Sequence, residues 1–409
     1  MDSSENGTTP GYVLVLNWHV RKPGGVSHVV SNLGAELAKL GWAPAILVND
    51  WMAKEPETDF TLANPVVSWR VRSPWDATNP WRNLIAYLLH FPGSVRTWLR
   101  LARRQGWLVV NCHFPDAGAG FWVALRALGL WKGAVILSVH GNEVRSALAS
   151  KNRIERTLVR KALAGADAVV ACSSGLGADV IALAPEARER LRIIPNGVDF
   201  DALKSCVDPD FALPPALNEQ PFILNVAKYE PKKAHETLIK AFAAAAARHE
   251  NLHLVVIGRA ASFTERIREC AAASGFVERI HLLVDLTHAE VINWLSRATV
   301  FCLPSISEGH PLVLMEAAAF ELPVVVTDIG GTQEIVARTD EGLLVPASDH
   351  EALASALIRL VEEPEAARRL GRNLRQSVEA RYSWTKTAKL YSELAQSLLT
   401  SRVNSSKSD

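Results

Sequence analysis

No uninterrupted apolar run in this chain approaches the roughly 18 residues that a membrane-crossing helix needs. The opening residues, MDSSENGTTPG, have neither an apolar core nor a basic flank, so no secretory leader is expected. Charge of one sign is also missing: 44 Lys and Arg against 43 Asp and Glu leave a formal +1. Such a balance lacks the broad basic field of nucleic-acid-binding proteins, and no nucleic-acid partner is expected. The five cysteines, Cys112, Cys172, Cys206, Cys270 and Cys302, have no CxxC or metal-ligand spacing, and three lie in or at the ends of apolar strand-like runs. That usage fits a reducing, cytoplasmic setting. The polar ends, including SRVNSSKSD at 401–409, are expected to be disordered.

At 409 residues the chain is long enough for two domains, each with a substantial core. Short apolar runs alternate with helical stretches throughout: VLVLN, APAILVN, LVVNCH, AVILSVH, AVVACS and RIIPNG in the first half. FILNVAK, LHLVVIG, RIHLLV, VFCLPS, PVVVTD and GLLVP follow in the second. This rhythm predicts two doubly wound parallel sheets, an α/β fold. Asp208-Pro209-Asp210 and Pro214-Pro215 interrupt it. The expected layout is a first Rossmann-like domain over 11–200, a linker over 201–220, a second such domain over 221–384, and a terminal helix over 385–400. That helix is expected to be capped near Ser383 and to bury Leu390, Leu394 and Leu398. Ligands of such sheets bind at the carboxyl ends of the strands, and Asn17, Asn49, His113, His140, Ser173, Asn196, Lys228, Gly258, Ser305 and Asp328 fall there.

The most informative stretch is PSISEGHPLVLMEA, residues 304–317. A buried strand runs into a loop carrying Glu308, and Pro311 suits the first turn of the helix that follows. Glu316 then lies on that helix among Met315, Ala317, Ala318 and Ala319, where an unpaired carboxylate loses hydration. A vicinal diol would satisfy it. Backbone N–H groups near Gly309, His310 and Leu312, with the helix dipole behind them, suit a diphosphate.

The run SEGHPLVLMEAAAFELPVVVTD resembles the signature of the retaining GT-B glycosyltransferases of the "glycosyl transferases group 1" family, family 4 type. The resemblance implies two Rossmann-like domains facing across a cleft, with the terminal helix crossing back to the first. By position it implies that Glu308 lies by the donor sugar, that Glu316 binds the nucleotide ribose, and that Gly309, His310, Pro311 and Leu312 line the donor. Lys233 falls where the family has its phosphate-binding Lys, and Lys228 where Arg is usual. Lys228 keeps the charge but loses the bidentate fork. Ala234 and Glu321 each replace a usual Gly. The pair Gly24 and Gly25, after the first strand, falls where the family carries glycines facing the donor, and Gly330-Gly331-Thr332-Gln333-Glu334 resembles its GG-x-x-E loop. His140 is implied to lie by the reacting sugar, where it would orient it or steady the leaving oxygen.

His113 and His140 end neighbouring strands. Two such histidines suit a polar substrate or ordinary structural duty. Asp199-Phe200-Asp201 and Asp208-Pro209-Asp210 match the metal-binding DxD of a different glycosyltransferase fold but lie in the expected linker, so no metal or cofactor is predicted.

Tryptophan is uneven: ten of twelve lie between Trp18 and Trp131. In the same region no acid occurs between Asp76 and Asp116, and Arg96, Arg100, Arg103 and Arg104 share a helical face opposite Val95, Trp98, Leu99 and Ala102. Such a helix suits an anionic membrane surface or a phosphate-bearing lipid acceptor, with the protein peripheral on the inner face of the membrane. The plainer reading, an outer helix packed through Trp98 and Leu99 under solvated arginines, is preferred. Arg100, Arg104 and His113 are the acceptor-side candidates.

The expected activity is transfer of a sugar from a UDP- or GDP-sugar to a hydroxyl of a glycan or lipid-linked acceptor, in cell-surface polysaccharide or glycolipid synthesis. His140, Lys228, Lys233 and Glu308 are the candidate catalytic residues. A nucleotide-sugar 2-epimerase shares the architecture but needs acid/base groups at the sugar, for which only His113, His140 and Glu308 are available. A non-catalytic partner subunit is the third possibility, against which both carboxylates and both lysines are retained.

Overall fold

A computed structural model describes residues 9–405 apart from 23, 54 and 76–78, with side chains no further than Arg402. Residues 1–8 and 406–409, expected to be disordered, lie outside this range, as does Pro23 of the first glycine loop. The chain forms two compact units: residues up to Gly197 with those from Trp384 onward, and Val198–Ser383.

The first unit is built on β1 (Gly11–Leu16), β2 (Ala43–Asn49), β3 (Glu57–Asp59), β4 (Val66–Trp69), β5 (Trp107–His113), β6 (Ala134–Val139), β7 (Ala168–Ala171) and β8 (Leu191–Ile193). They pair in the order β3-β4-β2-β1-β5-β6-β7-β8, all parallel except β3. β1, β6 and β7 are buried at every residue, which is why they read as unbroken apolar runs. Successive side chains serve opposite faces: Val13 and Val15 join one core, Tyr12, Leu14 and Leu16 the other. The helices are α1 (Gly25–Lys39), α2 (Pro80–Gln105), α3 (Gly120–Ala127), α4 (Asn142–Ala149), α5 (Arg153–Gly165) and α6 (Ser174–Leu183).

Most of the tryptophans are structural. Trp98 of α2 is fully buried, stacked on Trp69 and Trp107 and edge-on to Trp122 and Trp131 at 5.3–6.4 Å between ring centroids.

The second unit holds β9 (Phe222–Val226), β10 (His253–Gly258), β11 (Ile280–Val284), β12 (Val300–Leu303), β13 (Val324–Thr327) and β14 (Leu343–Val345), parallel in the order β11-β10-β9-β12-β13-β14. Its helices are α7 (Phe200–Ser205), α8 (His235–Ala246), α9 (Thr264–Ala273), α10 (His288–Arg297), α11 (Leu312–Ala319), α12 (Gly330–Ile335), α13 (His350–Glu362) and α14 (Pro364–Arg381). The stretch expected as a linker over 201–220 is instead part of this unit: Phe200, Leu203 and Leu217 are buried in its core despite the prolines between them.

The last helix, α15 (Trp384–Ser405), packs on α1 and β6 and belongs to the first unit. It continues through residues 401–405, which were expected to be disordered, and Arg402 there pairs with Asp167 and donates to the Lys132 carbonyl at 2.8 Å. Its buried face is Ala388, Tyr391 and Ala395, flanked by Leu394 and Leu398; Leu390 is largely exposed, contrary to the four-residue spacing read from the sequence.

Apart from the antiparallel edge strand β3, the strand order of each sheet reverses once, between β1 and β5 in the first and between β9 and β12 in the second. Crevices at the carboxyl ends of such switch points are where open α/β sheets bind ligands.

Candidate functional site

At the switch point of the second unit, the loops leaving β9 and β12 bring two of the expected residues together. The Lys233 ammonium donates to Glu308 Oε1 at 2.6 Å, and Ser305 Oγ donates to the same oxygen at 2.6 Å. The ion pair is 17% and 10% exposed at its two ends, enough shielding to strengthen it well beyond a surface pair. Backbone contacts fix the loops: the Ile306 N–H donates to the Lys232 carbonyl at 2.8 Å, and Thr327 Oγ1 donates to the Ser305 carbonyl. Gly331 lies so close to this loop that a Cβ there would sit 2.2 Å from the Gly309 carbonyl oxygen, which explains the glycine in the GG-x-x-E run.

Pro311 is the N-cap of α11, with ψ 113°, and the helix starts at Leu312, one residue later than expected. The start matters because the first-turn N–H groups, pointing back toward residues 309–311, carry the positive end of the helix dipole. Glu316 lies in the next turn, 13% exposed, and is not the unpaired carboxylate read from the sequence: its Oε1 is 3.0 Å from Nε2 of His288, the first residue of α10. The hydrogen bond to Glu316, aided by its charge, raises the His288 pKa above the ordinary imidazole value. His310 is expected at the donor, but its ring is buried edge-on to Tyr382 at 4.9 Å and burial pulls its pKa down to about 3. An imidazole held neutral and enclosed leaves its backbone as what it offers a ligand. Lys228, half exposed, reaches Glu230 at 2.5 Å.

The first unit holds the other group. Gly24 caps α1 at φ 155°, a conformation that a side chain would strain, and Gly25 is the first helical residue; a Cβ on Gly24 would meet nothing within 4 Å. At the ends of β5 and β6, His113 Nδ1 and His140 Nε2 are 3.1 Å apart with their rings stacked at 5.3 Å. Burial lowers both pKa values, that of His140 to about 4. His113, expected on the acceptor side, is 1% exposed and packs beside Tyr391. Below them Ser138 Oγ donates to Asn111 Oδ1 at 2.7 Å and lies 3.0 Å from the Tyr391 hydroxyl.

Glu143, at the start of α4, accepts from the His140 and Gly141 N–H groups, and burial pushes its pKa up to about 7. Arg100 and Arg104 are exposed on α2 with Arg103 and Leu99, lining a pocket of about 410 Å³.

The acids of the two DxD matches have local duties. Asp199 caps α7 by accepting from the Ala202 N–H at 3.0 Å, and Asp208 accepts from the Asp210 N–H at 3.0 Å.

Two functional candidates, His288 and Glu143, escape a reading of the sequence, and Ser305 was named only as a strand-end polar residue. His288 is 28 residues from Glu316 with no spacing rule to link them. Glu143 sits three residues from His140, a proximity that was the available signal.

Comparison with known proteins places this geometry. Residues 210–377 match the family described as "Glycosyl transferases group 1", and residues 23–202 match "Glycosyltransferase Family 4". The chain is 27% identical to a phosphatidyl-myo-inositol mannosyltransferase of Mycobacterium leprae, over 93% of this chain and 94% of the relative. It is also 27% identical to a D-inositol 3-phosphate glycosyltransferase of Xylanimonas cellulosilytica, over 70% of this chain and 71% of the relative. Its fold is similar to that of a sucrose-phosphate synthase from Thermosynechococcus elongatus, with a TM-score of 0.77 at 21% identity, covering 96% of this chain and all of the other.

Proposed function

The chain belongs to the glycosyl transferases group 1 family, enzymes of GT-B fold that use nucleotide sugars, and we propose that it moves a hexosyl group with retention of configuration from a UDP- or GDP-sugar to a hydroxyl of a glycan or lipid-linked acceptor. The names of the relatives make inositol phosphates and phosphatidylinositol the first acceptors to try. The observation that carries the reading is the set of anchored charges at one switch point: Lys233 on Glu308, with Glu316 on the adjoining helix. A diol, a diphosphate and a sugar need these groups.

In this reading Glu316 accepts from the ribose hydroxyls, and the amides of residues 309–312 receive the diphosphate. Lys233, assisted by Lys228, neutralises the charge that grows on the leaving phosphate oxygen as its bond to the anomeric carbon breaks. The acceptor oxygen forms the new bond on the same face, and its proton passes to that phosphate oxygen, so no side-chain base is required. His140, kept neutral by burial, orients the sugar by hydrogen bonding. The two lysines supply the cationic charge for which other glycosyltransferases use a metal, so the transfer is expected to persist in chelator.

Calorimetric titration of UDP, GDP and ADP sugars into the wild type and Glu316→Ala tests the donor site. One nucleotide class should bind, about 10- to 100-fold more weakly to the variant, the effect of losing hydrogen bonds to a charged group. Binding of none would point to a non-catalytic relative, and recovery of an altered sugar still on its nucleotide would point to an isomerase.

The acceptor side concerns α2. Among the described residues no helix is long and apolar enough to cross a membrane. Yet the first half of α2 exposes Trp81, Ile85, Leu88 and Leu89, at 57–75%, and its second half exposes Arg96, Arg100, Arg103 and Arg104. At 100° per residue, Trp81, Ile85, Arg96 and Arg103 fall along one face. Apolar anchors followed by arginines suit the boundary between acyl chains and phosphates of an anionic bilayer. Sedimentation with phosphatidylglycerol vesicles should capture the wild type and lose both Trp81→Ala/Leu89→Ala and Arg100→Glu/Arg104→Glu; equal recovery of all three would remove the membrane from the proposal.

A further inference from the structure

We propose that His288 is the positioning residue of the donor site: it holds the Glu316 carboxylate in the orientation that receives the nucleotide ribose. The inference rests on the ribose role given to Glu316 above.

A glutamate on an open helix face has three rotatable bonds, and freezing them on ligand binding costs side-chain entropy. The contact at 3.0 Å between His288 Nε2 and Glu316 Oε1 makes that restriction before the ligand arrives. An ionised carboxylate offers about four lone-pair positions, so one taken by His288 leaves enough for two vicinal hydroxyls. His288 is itself well placed to act as a fixed point. It is the first residue of α10, whose start is locked by a reciprocal capping box in which Thr287 and Glu290 bond each other's backbone N–H groups.

The electrostatics are simple enough to give a signature. Glu316 is the one titratable residue of α11, and β9, also packed on α10, has none. On α10 itself, Glu290 is committed to Thr287, and Arg297 lies at the opposite end of the helix. Protonated His288 therefore answers chiefly to Glu316. Its hold on the carboxylate is complete below the ordinary imidazole value and is lost as pH rises through the raised one.

Titrations of UDP and GDP, from about pH 5.5 to 9, into the wild type, His288→Ala, His288→Gln, Glu316→Ala and the double variant test this. His288→Ala should weaken the bound nucleotide about tenfold at low pH, an ordinary coupling for a contacting pair, and the gap should close as pH rises. The double variant should bind no more weakly than Glu316→Ala alone. His288→Gln, which keeps an N–H donor and the fold should Ala not tolerate the site, should recover part of the affinity without the difference in pH profile. If His288→Ala or His288→Gln keeps the wild-type affinity and pH profile while Glu316→Ala binds weakly, the positioning role is overturned and the ribose site stands. If Glu316→Ala binds as the wild type does, the ribose role fails, and the inference with it.

Discussion

The two switch points handle charge in opposite ways. In the second unit the charged side chains of the site are paired, Lys233 with Glu308, His288 with Glu316 and Lys228 with Glu230, and burial holds only the His310 ring among them neutral. In the first, burial drives His113, His140 and Glu143 toward their neutral forms. Paired charges can be shared with an anionic diphosphate without first being created, whereas neutral donors and acceptors suit sugar hydroxyls and do not bind anions strongly. A single enzyme that must grip a diphosphate and merely orient a sugar would need both environments.

The comparison is broken most severely at Lys233. Lys233→Ala removes the charge proposed for the leaving phosphate and leaves Glu308 without its cation, so kcat/KM should fall roughly 100- to 1,000-fold. Glu308→Gln, which removes the opposite member, should also slow transfer but leave nucleotide affinity nearer to wild type. A smaller effect sharpens the other side. Glu143 carries a pKa of about 7 against an ordinary 4.5, so its contribution to stability is full below the ordinary value and is lost as pH rises through 7. Glu143→Gln removes the charge and keeps an acceptor for one of the two N–H groups, which reach different carboxylate oxygens. Chemical denaturation should find the variant more stable at pH near 8, by up to about 3 kcal/mol, with the difference gone near pH 4.

The smallest effect concerns backbone alone. Glu321 follows α11 at φ 57° in a Schellman closure, its N–H bonded to the Ala318 carbonyl at 3.0 Å and the Leu322 N–H to the Ala317 carbonyl at 3.2 Å. Ala234 precedes α8 at φ 53°. Both positions departed from a glycine expected by resemblance, and both occupy the left-handed region that glycine enters without strain. Glu321→Gly and Ala234→Gly should each stabilise the protein by about 1 kcal/mol, a rise of about 2–4 °C in Tm measurable by scanning calorimetry.

The parallel strands of both units were legible because burial on two faces demands continuous apolar runs such as AVILSV. β3 and β4 were not, since ETD has no apolar pattern and VVSW is too short to separate from its surroundings. The spacing of Glu308 and Glu316 was visible because a loop and the helix after it are local. Their partners were not equally so: Lys233 was found by its place in a motif, while His288 reaches Glu316 only because α10 and α11 pack together. The basic helix was legible as amphipathic, but the sequence did not separate its packed half around Trp98 from the exposed apolar half around Trp81.

The last helix has a consequence for how the protein is made. α15 supplies Tyr391, Ala388 and Ala395 to a core otherwise built from residues before Gly197, and Ser392 Oγ accepts from the Trp42 indole at 2.8 Å across 350 positions. As the chain emerges from the ribosome, the second unit has all its residues while the first still waits for the strand-covering helix that completes it. Synthesis at about 5–20 residues per second makes that wait tens of seconds long, with Trp42 and its neighbours uncovered. Premature termination before Trp384 should therefore yield nascent chains whose later-made half is folded and whose earlier-made half is a client of chaperones.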